Sequence, residues 1–296
     1  LAANGLKVLG NAALVHGAFG VPRLGVPGAG WSSVLARSVM AAILVGYAIW
    51  HSDRHNTGLR RVALTADLAR LRRLLGLGLP SAVQVTLEVG VFGAAALLAG
   101  RLGEVALAAH EVVLNITCVS FMVPLGVSSA ASVRVGQALG RRDPPGAIRA
   151  GWVAIGVSVG FMSVCSLILL TIPGVLLSPF TSAPDVVRTA LPLLGTAACF
   201  QLFDGLQVVA TGSLRGLGST ATSMFANLAG HWFIGLPVGY SLAFPLGLGV
   251  NGLWLGLASG LISCGILQLV AWTHAANRIR NEEEAEPISA PQPTCV

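Results

Sequence analysis

Apolar runs of about 20 residues recur along the chain, and the segments between them hold most of its charges. Eight such runs stand out: 1–20, 28–50, 76–100, 105–131, 149–173, 187–213, 222–244 and 250–274. The clearest stretch, Leu75 to Arg101, is about 25 residues long and as a helix would rise about 37 Å, enough to cross a bilayer. The pattern predicts an all-α integral membrane protein with eight spans. Between the second and third runs lies the longest connection, 51–75. Its segment Leu59–Leu75 places Leu, Val and Ala among arginines at helical spacing, which predicts an amphipathic helix on the inner membrane surface. This linker divides two helices, 1–50, from six, 76–274. The tail 275–296, with Glu282, Glu283, Glu284, Glu286 and three prolines, reads as disordered.

Composition narrows the class further. Charged residues are 10% of the chain, against about 25% in soluble domains. The 37 glycines suit close helix packing in lipid. The net charge of +6 sits in loops and forms no basic stripe, so nucleic acid is not an expected partner. With 51–75 on the cytoplasmic side, thirteen loop arginines fall inside and only Arg23, Arg101 and Arg188 outside, which predicts an inner-membrane protein with a cytoplasmic C-terminus. The five cysteines show no C-x-x-C pairing and read as small packing residues. The chain opens at Leu1 inside an apolar run, which reads as truncation.

One internal echo bears on architecture. Pro22-Arg23-Leu24-Gly25-Val26-Pro27-Gly28 resembles Pro245-Leu246-Gly247-Leu248-Gly249-Val250-Asn251-Gly252, about 223 residues later, and each precedes a span. As a repeat, it implies the last two helices of one six-helix unit followed by all of a second in the same orientation.

Few polar residues interrupt the spans. Glu88 lies 12 residues above Gly76, and Asp204 lies 11 residues before Arg215, so both stand roughly 16–18 Å from the inner end. Carboxylates at mid-membrane are costly and normally face a protein interior, a wet cavity or a cation. Gln84 lies one turn from Glu88, Gln201 and Gln207 flank Asp204 in an expected polar stripe, and Asn115 lies in the span 105–131. Carboxylates with amide oxygens at one depth suit Na⁺ or a shared proton; the alternative is a hydrogen bond that only locks packing. Glu111 and His110, near the outer end of their span, read as a hydrated mouth or a proton relay. Lys7 and Arg37 read as buried cations. Pro80, Pro124 and Pro237 fall inside spans as kinks, whether hinges or static shape. There is no nucleophile elbow, H-E-x-x-H, Walker A or dinucleotide fingerprint, so the chain is not expected to be an enzyme or an ATP-driven pump.

Several ordered motifs together resemble a known family. Leu87-Glu88-Val89-Gly90, Ala108 to Asn115, Phe121 to Gly126, Arg134 to Gly140, Gln201 to Asp204, Gln207, and Gly212 to Gly216 look like the second half of the multidrug and toxic compound extrusion (MATE) family, NorM-like branch. The resemblance implies a twelve-helix transporter fold, of which the eight spans would be the fifth to twelfth. It implies export of organic cations, drugs or amphipathic compounds in exchange for Na⁺ or H⁺ as coupling ion, by a monomer embedded in membrane lipids and without another cofactor. In such members the acidic residues of the seventh and tenth helices form the cation site; these positions correspond to Glu88 and Asp204, and the eighth-helix amide to Asn115. The chain departs from the pattern at Glu111, where Gln is frequent, and at Lys7 and Asn11, where a polar pair is frequent. The other readings are a flippase for lipid-linked or polyanionic cargo, which would need a cavity lined by several Arg or Lys, a membrane enzyme using the two acids, and a remnant that does not transport.

Overall fold

The computed structural model describes residues 2–17, 23–55 and 67–285. Among them there are helices and turns but no strand: α1 (Ala2–His16), α2 (Val26–His55), α3 (Leu68–Arg101), α4 (Glu104–Gly140), α5 (Pro144–Thr171), short α6 (Pro173–Leu177), α7 (Pro184–Gly216), α8 (Thr220–Asn227), a π-helical segment (Leu228–Gly235), α9 (Leu236–Ala243) and α10 (Gly249–Ala285). Six of them, α2, α3, α4, α5, α7 and α10, are long and apolar enough to cross a membrane. The two remaining predicted runs take another form. α1 has 15 residues, and the run 222–244 is built from three consecutive eight-residue pieces, α8, the π segment and α9.

The chain forms two compact units, Leu1–Asp67 and Leu68–Val296. In the first, α1 and α2 pack as an antiparallel hairpin. Gly28 meets the backbone of α1 so closely that a Cβ there would lie 2.5 Å from the Leu14 carbonyl oxygen. The Ser32 hydroxyl donates to the Lys7 carbonyl at 3.0 Å. Lys7 and Arg37 are exposed on this hairpin, contrary to the expectation of buried cations, because the buried stripe of α2 runs through Gly28, Ser32 and Ala36 instead. Of the predicted interfacial helix, 59–66 lies outside the described residues, and Leu68–Leu75 is the first part of α3, continuous with the span.

In the second unit α7 is the central helix, packed among α4, α5 and α10. Leu193, Leu194, Ala197, Val209, Ala210 and Leu214 on it are fully buried. Serine hydroxyls fasten its neighbours to its carbonyls: Ser128 of α4 to Val208 at 2.6 Å, and Ser158 and Ser166 of α5 to Gly205 and Ala198 at 3.0 and 2.7 Å. Between helices in lipid, where apolar surface gives little drive to associate, such bonds and close backbone contact supply cohesion.

α10 runs antiparallel to α9 and the π segment along a ladder of small residues. A Cβ on Gly256 would lie 2.1 Å from Gly239 Cα, and one on Gly252 would lie 2.6 Å from Ala243 N. Gly260 meets Gly235, and Gly230 meets Gly260 and Cys264. The ladder on α10 steps by four, but its partners Ala243, Gly239, Gly235 and Gly230 step by four, four and five. The five-residue step is the π segment, one residue more than an α-turn. Leu236 N–H accordingly bonds to His231 O, five residues back. Pro237, just after it, has no N–H to give to an α-helical bond.

α10 continues past the predicted end at 274, so residues 275–285 are helix, not disordered tail. Arg278 and Glu282 pair at 2.8 Å with helical spacing, and Arg280 bonds Asn277 at 3.0 Å. Residues 286–296 lie outside the described residues.

Candidate functional site

A cavity of about 470 Å³ opens between α3, α4 and α7. Each helix presents one face to it. α3 supplies Gln84 and Glu88, one turn apart. α7 supplies Phe200, Asp204, Val208, Thr211 and Arg215, a stripe at steps of three and four. α4 closes the third side, mainly with Phe121, Met122 and Leu125 and with the polar Thr117 and Ser128. The walls are therefore mostly apolar with a few convergent polar groups, the usual make-up of a small-molecule site.

The two carboxylates predicted at matched depth meet in this cavity. Asp204 is buried at 9% exposure, Glu88 is half-buried, and Asp204 lies within electrostatic reach of Glu88. Gln84 and Gln207 turn their amides toward Glu88, and the charge of Arg215 reaches it as well. Gln207 is fully buried. Its Nε2 donates to Asn227 Oδ1 at 3.4 Å, and its Oε1 has no partner among the described residues. Thr211 donates its hydroxyl to Gln268 of α10, itself fully buried.

The other predicted residues are placed differently. Gln201 and Gln207 do not share a stripe with Asp204. Two successive steps of three turn the side chain about 60° each, so Gln201 reaches back to donate to Ser120 of α4 and Gln207 faces Asn227. Asn115 is exposed outside the cavity, with its Nδ2 donating to the Glu111 carbonyl at 2.8 Å. His110 is not at a wet mouth. It is fully buried, edge-on to Trp254 at 5.7 Å, because its face of α4 turns into the core that α7 and α10 share. Neither of its ring nitrogens has a partner among the described residues. Glu111, one residue on, faces outward and is exposed.

Three contributors were not singled out in the sequence. Arg215 served there only to mark a helix end, although its spacing of eleven from Asp204 is three helical turns. Asn227 holds Gln207 from behind. Trp232, on the π segment, donates its indole N–H to the Leu87 carbonyl at 3.0 Å and lies against Gly90, so it grips the turn of α3 that carries Glu88. No pattern of period 3.6 could have pointed it there, because the π step rotates it.

Among the described residues no cluster of three or more His, Cys, Asp or Glu could hold a metal ion. Among the described residues Arg215 is the one basic residue that lines this cavity.

Comparison with known proteins is consistent across sequence and structure. The family model MatE matches residues 80–241. The multidrug resistance protein NorM of Burkholderia vietnamiensis is 41% identical over 278 residues, covering 90% of this chain and 58% of that protein. A probable multidrug resistance protein NorM of Brucella suis is 38% identical over 273 residues, with coverage of 90% and 58%. Among solved structures, the eukaryotic MATE transporter AtDTX14 superposes with a TM-score of 0.83 at 23% identity, over 95% of this chain and 63% of that one. An outward-facing multidrug resistance MATE family transporter gives 0.79 at 19% identity, over 94% and 61%. The chain thus spans less than two thirds of the length of these relatives.

Proposed function

The chain belongs to the MATE family, a family of multi-pass membrane transporters, and on that premise we propose that it carries the ion-coupling half of a secondary antiporter. Such an antiporter exports organic cations or amphipathic drugs in exchange for Na⁺ or H⁺. Its α1–α2 hairpin is the end of a first lobe and residues 68–285 are the second lobe. The protein works as a monomer in the cytoplasmic membrane with its C-terminus inside.

The observation that carries this reading is the meeting of Glu88 and Asp204, 116 positions apart in sequence, in one apolar-walled cavity. Two carboxylates in each other's field in such a place are relieved by a cation between them or a proton on one of them. Gln207 turns its amide toward Glu88, and its buried Oε1 has no partner among the described residues; an amide oxygen is the kind of hard ligand that Na⁺ takes. Binding or release of that ion changes the electrostatics between α3 and α7 and so biases the conformations that alternate access requires.

The test is efflux of ethidium from a bacterium lacking its own efflux pumps, with the protein expressed from its complete reading frame. Ion-gradient-dependent efflux is expected, with loss to background in Glu88→Gln and in Asp204→Asn at unchanged membrane abundance. Ion-driven efflux retained in both variants would overturn the assignment of the site.

A further inference from the structure

A second cavity, of about 410 Å³, lies away from the carboxylates, between the end of α4 and the start of α5. Its α4 wall is Val127, Ala130, Arg134, Ala138 and Arg141, at steps of three and four on one helical face. Its α5 wall is Gly146, Arg149, Ala150, Val153 and Ala154. The groove is therefore apolar at one end and cationic at the other. Arg134, Arg141 and Arg149 all line it and all are exposed. Among the described residues none of the three has an ion-pair partner. Asp143, the one acid at the groove, uses Oδ1 to cap the start of α5 by accepting from Gly146 N at 2.9 Å. Three guanidinium groups against one carboxylate leave the groove with a charge of +2.

Position adds to charge. α4 has 37 residues, about 55 Å of helix, against a hydrocarbon core of about 30 Å. That excess leaves room for its last turns, with Arg134 and Arg141, to stand at headgroup level with Val127 and Val153 at acyl-chain depth. Beyond the groove the outer face of α5 continues with exposed Val157, Val164 and Leu167, a surface suited to lipid tails. The turn that closes the groove is also unusual. Arg142 adopts φ 56°, with Asp143 N–H bonded to Ala138 O at 3.0 Å, whereas the matching turn after α7 gives that left-handed position to Gly218. The chain thus puts another arginine where glycine would be less strained.

We infer that this α4–α5 groove is a binding site for an anionic glycerophospholipid, with the headgroup phosphate held by Arg134, Arg141 and Arg149 and an acyl chain along Val127 and Val153. Guanidinium forks match phosphate oxygens in geometry, and a basic pocket between spanning helices at headgroup depth selects anionic lipid over zwitterionic lipid.

The test is native mass spectrometry of the detergent-purified chain titrated with dioleoyl phosphatidylglycerol or dioleoyl phosphatidylcholine. The wild type is expected to retain phosphatidylglycerol at a concentration at least tenfold below that for phosphatidylcholine. Arg134→Gln with Arg149→Gln is expected to bring the two lipids within twofold of each other. Arg278→Gln with Arg280→Gln, which removes the same charge from the end of α10, is expected to leave the preference intact. Equal binding of both lipids by the wild type would overturn the site. So would a preference kept by the α4–α5 variant, or one lost equally in the α10 variant. Displacement of bound lipid by millimolar inorganic phosphate would instead assign the groove to a soluble anion and overturn the lipid reading. Ethidium efflux is a separate readout, so loss of the lipid preference does not depend on the coupling site.

Discussion

The α1–α2 hairpin and the α9–α10 hairpin are built on one plan and end in different uses. In each, a leucine N–H closes the turn onto a leucine carbonyl of the preceding helix: Leu24 to Leu14 at 2.9 Å and Leu248 to Leu242 at 3.1 Å. In each, the next residue is a glycine at φ 57°, Gly25 or Gly249, and the residue three further on, Gly28 or Gly252, lies against the previous helix backbone. The buried stripe then continues at the same offset of 224, as Ser32 and Ala36 in α2 and as Gly256 and Gly260 in α10. The sequence echo at Pro22 and Pro245 is therefore matched by conformation from Leu24 to Gly28, whereas one residue earlier Gly247 takes φ 69° and Arg23 has no positive φ. The difference lies in the partner helix. α1 meets its stripe with the ordinary helical steps Leu14, Gly10 and Lys7, whereas the partner of α10 takes the five-residue π step. That extra residue turns Trp232 onto the Glu88 turn. The two hairpins thus differ in the span of the turn, ten residues from Leu14 to Leu24 against six from Leu242 to Leu248, and in the π step, which lies where the second hairpin touches the turn of α3 that carries Glu88.

The largest expected effect is at equivalent stripe positions of unequal tolerance. Gly256→Ala places a Cβ 2.1 Å from Gly239 Cα, backbone against backbone, so the helices must part. A loss of about 3 kcal/mol or more is expected, seen as a much lowered melting temperature or failure to elute as one species. Ser32→Ala, at the matching position of α2, removes one hydrogen bond to the Lys7 carbonyl and should cost about 1 kcal/mol. Similar losses at the two positions would mean that the α10 ladder is not the tighter one.

Next in size is deletion of Phe233, which lies in the π segment and is 72% exposed. Removing one residue turns the five-step into a four-step and keeps Gly230 and Gly235 facing α10, while Trp232, inside the step, is turned away from Leu87. The deletion variant is expected to fold with a melting temperature near that of wild type but to lose most ion-driven ethidium efflux, because Trp232 no longer faces Leu87. Unchanged efflux would show that the π step shapes packing only.

The six long helices and the placement of Glu88 and Asp204 in one cavity were legible because burial in lipid makes apolar length and stray charge conspicuous. The glycine echo was legible because φ 57° and a 2.5 Å approach leave few other residues possible. What stayed hidden depends on partners. The π step is visible only once Gly230 and Cys264 are known to face each other. Gln201 and Gln207 look alike on either side of Asp204 until α4 and α8 claim them separately. His110 reads as water-facing by its nearness to a helix end, and only the packing of Trp254 shows that its face is buried. The helix through 275–285 was masked by its run of glutamates, of which Glu282 pairs with Arg278 one turn away.

A smaller and more local effect is expected from Trp232→Phe. Phe keeps an aromatic ring at this position, but the 3.0 Å bond to the Leu87 carbonyl is lost. One neutral hydrogen bond is worth about 1 kcal/mol, so if it positions Glu88 the ion concentration for half-maximal efflux should move by about fivefold with maximal efflux kept. A purely structural tryptophan would lower the melting temperature and leave that midpoint unmoved.

The smallest effect is the most direct test of equivalence between the two hairpins. Gly25 and Gly249 share φ 57°, and a Cβ on either would meet nothing within 4 Å. Alanine at either position therefore pays only for the left-handed backbone, about 1 kcal/mol, less a few tenths recovered from the lower entropy of the unfolded chain. The two losses should agree to within about 0.3 kcal/mol in denaturant titrations of the purified chain, and Asn, which accepts this conformation, should cost less than Ala at both. Agreement would mean that the turn conserves its energetics as well as its shape across the copies. A loss at Gly249 alone would mean that the α9–α10 turn bears strain that the α1–α2 turn does not, and the places to look for its source are its shorter span, six residues from Leu242 to Leu248 against ten from Leu14 to Leu24, and Gly247 at φ 69° just before it.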